Sequence, residues 1–132
     1  MICCSCKPKI EERPLLSMGS AAELGTLFKM FGNQTRLRLL HAILRAGEMR
    51  VTDLSTALTM KPAAVSNQLQ RLVDRGIVAP RRDGNNVFYR IVDPCVPSLL
   101  EKGLCLLEDA KERARIKPAD PFIENLLLGR VE

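Results

Sequence analysis

The sequence contains no long hydrophobic run. No stretch approaches the roughly 18 consecutive apolar residues of a membrane-spanning helix, so we expect no membrane partner. The first residues, MICCSCKPKIEERP, lack the apolar core of a secretory signal. These two absences predict a soluble protein of the cytoplasm, where thiols are kept reduced.

Histidine is almost absent, since His41 is the single example in 132 residues. A nucleophile pair of Cys95 and His41 would need an acidic group to orient it, and none accompanies it. The chain also has no paired-carboxylate motif and no glycine loop that would cradle a phosphate. We therefore predict that the protein is not an enzyme, and that His41 lies on a helix surface or in the core rather than on a metal.

Length and net charge indicate the number of domains and the kind of partner. A chain of 132 residues fits one domain with a modest core, so dimerisation would help to bury more apolar surface. The formal net charge of +5 favours a polyanionic partner.

Hydrophobic periodicity is clearest between Val51 and Gly76. Apolar residues recur there at helical spacing and can cover one small core: Leu54, Leu58, Val65, Leu69 and Leu72. Pro62 suits the first position of a second helix, because its missing N–H costs nothing there, and Gly76 is typical of a helix end. The pattern predicts two helices at a steep angle, joined by a short turn.

The second of these helices has a polar face of hydroxyl, amide and guanidinium groups. Such groups near the start of a recognition helix reach phosphates and base edges in the major groove of DNA. The alternative is an ordinary solvated helix face. We predict DNA contacts for Ser66, Asn67, Gln68 and Arg71.

Two strand-like segments follow at 77–82 and 87–92, and the turn sequence Asp83-Gly84-Asn85-Asn86 joins them into a hairpin. Helices followed by a basic hairpin predict a winged helix-turn-helix, mainly α with a small β-hairpin, that binds double-stranded DNA. Arg81 and Arg82 are predicted to lie along the phosphate backbone. The alternative is that these charges keep an edge strand soluble.

The remaining segments divide the chain into three parts. Residues 1–16, rich in cysteine and charge, are predicted to form a flexible arm. Residues 17–116 would hold the winged helix-turn-helix domain with its dimerisation helices, and residues 117–132 a C-terminal tail with at most a short helix.

Two amphipathic helices flank the DNA-binding unit. Ser20, with Glu23 three residues later, predicts a capped first helix with a buried stripe of Leu24, Leu27, Phe28 and Phe31. A last helix from Asp93 to about Ile116 carries a second apolar stripe. These stripes carry more apolar surface than so small a core can bury, so the two terminal helices are predicted to form the dimer interface.

Several of these segments together carry a family resemblance: NQTRLRLL at 33–40, Asp53-Leu54, AVSNQL at 64–69, LVDRGIV at 72–78 and an aromatic second wing strand. They resemble the ArsR/SmtB family of winged-helix repressors that sense metals or metalloids, over about residues 21–111. The resemblance implies a homodimer, an operator with dyad symmetry, and release from DNA when an inducer binds.

Five cysteines are the candidate inducer ligands. Cys3, Cys4 and Cys6 cluster in the arm, whereas Cys95 and Cys105 belong to the last helix or its entry. Thiolates select thiophilic ions such as As(III), Sb(III), Cd(II), Pb(II), Hg(II), Cu(I) and Zn(II). Neighbouring prolines place Cys95 at or just before a helix N-terminus, where the helix dipole favours a thiolate.

Two ligand patterns of the resembled family are incomplete in this sequence. Where some members carry Cys-x-Cys in the first helix of the helix-turn-helix, this chain has DLSTAL at 53–58. Where others carry Asp-x-His at the start of the last helix, this chain has Asp93-Pro94-Cys95, and the downstream histidine is missing near Leu106. The ligand set is therefore inherited from neither pattern.

Geometry favours a site that joins the arm to the last helix. Cys95 and Cys105 would stand about 15 Å apart on one helix and could not bind the same ion. We predict a thiolate site of Cys95 with two or more of Cys3, Cys4 and Cys6, and Cys105 either in reserve or as a small buried hydrophobe. Three sulfurs would suit As(III), Sb(III) or Pb(II), and four would suit Cd(II) or Zn(II). The alternative is a repressor of the same fold that responds to thiol oxidation or persulfide.

Overall fold

The computed structural model describes residues 6–115. After a 3-10 turn at Ile10–Glu12, the elements are α1 (Met18–Phe31), α2 (Gln34–Ala46), α3 (Val51–Leu58), α4 (Pro62–Asp74), β1 (Val78–Asp83), β2 (Asn86–Ile91) and α5 (Cys95–Arg115). This order confirms the predicted class, mainly α with a small hairpin. The predicted tail at 117–132 lies outside the described residues.

The chain forms two compact units, each defined by residues that contact one another more than they contact the other unit. The first, Met1–Ser98, holds α1 to α4, the hairpin and the start of α5. The second, Leu99–Glu132, holds the rest of α5, whose described part is one uninterrupted helix. The core and the candidate DNA-binding residues all belong to the first unit.

Polar side chains cap the first two helices. Ser17 is the N-cap of α1, and its Oγ accepts a hydrogen bond from the Ser20 amide at 3.1 Å. The predicted cap at Ser20 was therefore wrong by one turn, because the serine three residues earlier provides the same chemistry. Asn33 caps α2 in the same way, with its Oδ1 accepting from the Arg36 amide at 3.1 Å.

The turn between α3 and α4 is tight. Thr59 adopts a left-handed conformation with φ of 54°, and the Ser55 hydroxyl donates to the Met60 carbonyl. Pro62 is the first residue of α4, as predicted. At the far end of α4, Gly76 has φ of 72°, which a residue without Cβ adopts at little cost.

The core forms where α2, α3, α4 and β1 meet. Its fully buried side chains are Leu39, Leu40, Ile43, Leu54, Leu69, Leu72, Val65 and Val78. The residues predicted from helical spacing between Val51 and Gly76 are all buried, with Leu58 still 8% exposed. Packing of these side chains fixes α4 against the rest of the first unit.

The predicted stripe of α1 is only partly buried within one chain. Phe31 is buried, but Leu24 and Phe28 are 39% and 51% exposed. On α5, Leu104, Leu106 and Leu107 are exposed as well. A single chain thus leaves apolar surface on both terminal helices, as expected for helices that dimerise.

The hairpin pairs β1 and β2 in antiparallel register, from Val78 opposite Ile91 to Asp83 opposite Asn86. Gly84 opens the two-residue loop with φ of 61° and Asn85 has no positive φ, the arrangement of a type II′ turn. Met49 extends the sheet by one bridge, since its amide and carbonyl bond to the backbone of Tyr89 at 3.0 and 2.8 Å. Within the described residues, no helix is long and apolar enough to cross a membrane.

The core predicts a clear stability contrast along α4. Leu69→Ala removes a fully buried side chain and should cost about 2 to 5 kcal/mol in the free energy of unfolding, because a cavity remains. Gln70→Ala, on the exposed side of the same helix, should change it by less than about 0.5 kcal/mol. Urea unfolding at one fixed protein concentration measures both; equal losses would contradict the described core.

Candidate nucleic-acid interface and cysteine site

The outward face of α4 carries the predicted recognition residues. Val65, Leu69 and Leu72 point into the core, so helical geometry turns Ser66, Asn67 and Arg71 to solvent, where all three are exposed. Asn67 and Arg71 are four residues apart and share one side of the helix. Three of the four predicted positions thus form an accessible polar surface.

Gln68 differs from these neighbours. It is half-buried, and its Oε1 accepts a hydrogen bond from Nε of Arg36 at 2.9 Å. Arg36 also donates through Nη1 to the Met30 carbonyl at 2.9 Å. Arg36 therefore connects Gln68 on α4 to the start of α2 and the end of α1. Sequence reasoning missed this contact because its partners are 32 residues apart and no local pattern relates them.

Arg81 was predicted to lie along the phosphate backbone, but in the structure its guanidinium is paired with other residues of the protein. Its guanidinium forms two hydrogen bonds with the Glu48 carboxylate, one of them from Nε at 3.0 Å. Its Cζ also lies 4.8 Å from the centre of the Phe88 ring, within cation–π range. The hydrogen bond from Arg81 lowers the pKa of Glu48, so the pair is charged at neutral pH.

A second arginine fixes the other side of the wing. Arg50 forms a salt bridge with Asp53 at 3.0 Å and donates to Oδ1 of Asn86 at 3.3 Å. Its Cζ lies 5.9 Å from the Phe88 ring centre. The wing is thereby connected to the α2–α3 loop and to the first turn of α3. We call these contacts of Arg50, Arg81 and Glu48 around Phe88 the wing clamp.

Arg82 occupies the opposite face of the hairpin. It pairs with Val87 while Arg81 pairs with Phe88, and successive side chains of a strand point to opposite faces. Arg82 is exposed, and among residues 6–115 no ion pair involves it. Of the two predicted wing contacts, Arg82 is the one with a guanidinium available to a phosphate.

The cysteines fall into different environments. Cys95 is the first residue of α5, is half-buried, and donates its amide to Oδ1 of Asp93 at 2.8 Å. Its sulfur is disulfide-bonded. Cys6 is an exposed free thiol, and the predicted ligands Cys3 and Cys4 lie outside the described residues.

Cys105 does not behave as a buried hydrophobe. It is an exposed free thiol on α5, with Sγ 3.8 Å from Oδ2 of Asp109. The described part of the chain contains no cluster of three or more histidine, cysteine or acidic side chains that could hold a metal ion. His41 is exposed on α2, which agrees with a helix-surface histidine.

Comparison with known proteins adds to this geometry. The model of the family described as "Bacterial regulatory protein, arsR family" matches residues 33–79, from the start of α2 to β1. A transcriptional repressor SmtB homolog from Synechocystis sp. is 35% identical over 85 residues, which span 64% of this chain and 64% of that repressor.

Two solved structures share the fold. The crystal structure of the AntR antimony-specific transcriptional repressor is 56% identical, with a TM-score of 0.68, and the match covers 83% of this chain and 99% of that one. A homodimeric winged helix-turn-helix DNA-binding domain from Mycobacterium bovis is 29% identical, with a TM-score of 0.59, and the match covers 74% of this chain and 92% of that domain. The accessible face of α4, the wing and these similarities lead to one conclusion: the chain belongs to the ArsR family of winged helix-turn-helix transcriptional repressors.

Proposed function

We propose that this repressor leaves its operator when a thiophilic metal or metalloid ion binds cysteine thiolates at the start of α5. The observation that carries the proposal is the place of Cys95, which is the half-buried first residue of α5 and is separated by three residues from the end of β2. A dithiol reductant, which is itself oxidised to a disulfide, supplies the two electrons and two protons that convert the disulfide of Cys95 into two thiols. Both become ligands once they lose their protons to the bound ion.

The chemistry of sulfur donors limits the inducer. Soft thiolates select thiophilic ions over magnesium or calcium. Cys95 supplies one sulfur, and the arm contains Cys3, Cys4 and Cys6 as further donors, with Cys105 in reserve. The similarity to a repressor described as antimony-specific favours three sulfurs around Sb(III) or As(III), whereas a fourth sulfur would suit Cd(II) or Zn(II).

A second candidate uses the same sulfurs without an ion. The disulfide at Cys95 is itself the oxidised form of a thiol pair, so an oxidant or a persulfide donor would act at the same place. In that case the reduced protein would bind the operator and oxidation would release it. The two candidates share the site and differ in the inducing chemical.

The position of Cys95 connects either event to the DNA-binding surface. Only three residues separate it from the end of β2, and the Val92 amide donates to the Ile77 carbonyl at 3.0 Å. A ligand that moves the start of α5 therefore acts on the strand that carries half of the wing. Coupling of this kind is typically worth about 1 to 3 kcal/mol, a 5- to 150-fold change in affinity.

For DNA we propose a homodimer with each α4 in a major groove. Ser66, Asn67 and Arg71 face the bases and backbone, and Arg82 contacts a phosphate. Gln68 holds α4 in place through Arg36, and Arg81 holds the wing in place through Glu48. Exposed side chains thus contact DNA, and the paired ones position them.

Removing the Arg82 charge should weaken DNA binding and reduce the dependence of the affinity on salt concentration. Arg82→Ala should reduce affinity for all duplex sequences and lower the slope of log affinity against log salt concentration by about 0.9, the value for one phosphate contact. Arg45→Ala, an exposed cation on α2, is the matched control. Fluorescence anisotropy measures both; identical slopes for the two variants would exclude Arg82 from the interface.

The wing clamp predicts a specific effect of Glu48→Gln. Loss of the carboxylate charge should speed amide hydrogen exchange in β1 and β2 and leave exchange in the core unchanged, with Glu23→Gln on α1 as the control. Because the hydrogen bond from Arg81 lowers the folded-state pKa of Glu48 below the ordinary carboxyl value, the clamp is present at neutral pH and is lost as the pH falls through that lowered pKa. Equal exchange in both variants would show that Glu48 does not hold the wing.

The inducer site is tested by titrating the reduced repressor on operator DNA with As(III), Sb(III), Cd(II), Pb(II), Hg(II), Cu(I) and Zn(II). Cys95→Ser and deletion of residues 1–6 should each raise the concentration of the active ion needed for release by about 10-fold or more. Cys105→Ser should have little effect.

Release at the wild-type concentration in both variants would place the site elsewhere. Treatment with peroxide or polysulfide, followed by mass spectrometry of the cysteines, tests the second candidate. Release by an oxidant and by none of the ions would replace the ion-sensing proposal with the redox one.

A further inference from the structure

A basic cavity lies beside the recognition helix. It has a volume of about 510 Å³ and is formed by the end of α1, the start of α2 and the second half of α4. Its lining residues are Thr26, Lys29, Met30, Arg36, Arg71, Asp74 and Arg75. The proposed function uses Arg71 as a DNA contact and Arg36 to position α4, but it gives no role to Lys29 and Arg75.

The charges in this cavity are strongly unbalanced. Four cations and one carboxylate give a net formal charge of +3. The ion pairs within residues 6–115 are Arg50 with Asp53, Arg81 with Glu48, and Arg115 with Glu112, so none of the four cavity cations is neutralised there. Because like charges held together repel, a cluster of this kind is stabilised by an anion.

The hydrogen bonds of Asp74 and Arg36 leave the guanidinium groups of Arg71 and Arg75 available to bind an anion. Asp74 accepts a hydrogen bond from Nε2 of Gln70 at 2.8 Å, and Arg36 commits Nε and Nη1 to Gln68 and Met30. Among the described residues, the guanidinium groups of Arg71 and Arg75 make no hydrogen bond to another side chain. A guanidinium presents a planar set of donors that matches the oxygens of a phosphate.

The cavity continues the recognition surface. Asn67, Arg71 and Arg75 follow one another at four-residue spacing, so they lie on one side of α4 from its middle to its C-cap, Arg75. DNA that places bases against the start of α4 also places its backbone next to the helix, where phosphates lie at regular intervals. These side chains therefore connect the proposed base contacts to the cluster of cationic donors that lines the cavity.

We propose that this cavity is a phosphate-binding site, in which Lys29, Arg71 and Arg75 hold one phosphate group and Arg36 keeps the walls together. The phosphate group is that of the operator backbone or of a free phosphate ion, since both present the same oxygens. The backbone assignment rests on the proposed mode of DNA binding. The assignment of the cavity to phosphate does not.

The first arm of the test measures DNA. The double variant Lys29→Gln/Arg75→Gln removes two cavity charges and leaves Arg71, and Arg38→Gln/Arg45→Gln removes two exposed charges of α2 as the control. If the backbone occupies the cavity, the first variant should lower the salt slope by about 0.9 and weaken binding roughly 5- to 10-fold near 0.1 M salt, while the control changes neither comparably. Circular dichroism confirms that each variant is folded, and Lys29→Gln alone serves if the double variant is not.

The second arm measures inorganic phosphate binding to the free protein by calorimetry at constant ionic strength. Phosphate binding that disappears in Lys29→Gln/Arg75→Gln, with an unchanged salt slope on DNA, would support the cavity as a site for the free ion instead of the backbone. No effect of the variant in either arm would overturn the proposal. If the wild-type protein bound no duplex DNA, the proposed mode of DNA binding would be wrong. The phosphate titration alone would then test whether the cavity binds phosphate.

Discussion

Burial of one apolar stripe of α4 is the constraint on which the rest of the structure depends. Val65, Leu69 and Leu72 have no solvent exposure and anchor this helix among α2, α3 and β1. Because a helix turns by a fixed angle per residue, that burial determines which side chains face outward, and it directs Ser66 and Asn67 to solvent. The recognition surface is thus a consequence of core packing.

Polar contacts between distant segments then decide which exposed groups remain available for a ligand. Arg36 engages Gln68 and the end of α1, and Glu48 engages Arg81 next to Phe88. In each contact, a side chain that the sequence predicts to bind DNA is paired with another residue of the protein. Individual surface pairs contribute little to stability, but shared contacts around one ring restrict how the wing can move.

The cysteines show the same division between chemistry and position. Residue type alone predicts that the cysteines would bind thiophilic ions, and the prolines around Cys95 correctly predict that it lies at the start of α5. Whether Cys95 is bonded through its sulfur, and whether Cys105 is buried, depends on how the chain folds. The structure answers the first with a disulfide and the second with an exposed thiol.

The sequence by itself determined the class of fold, the limits of the recognition helix and hairpin within one or two residues, and the buried leucines, because periodicity, Pro62 and Gly76 act locally along the chain. It misplaced the cap of α1, since Ser17 and Ser20 offer the same local chemistry. Only the tertiary structure decided that Gln68 and Arg81 are paired, that Arg82 is free of ion pairs within residues 6–115, and that Lys29 and Arg75 meet at one cavity. Such contacts join residues tens of positions apart, and their geometry exists only after the core has packed.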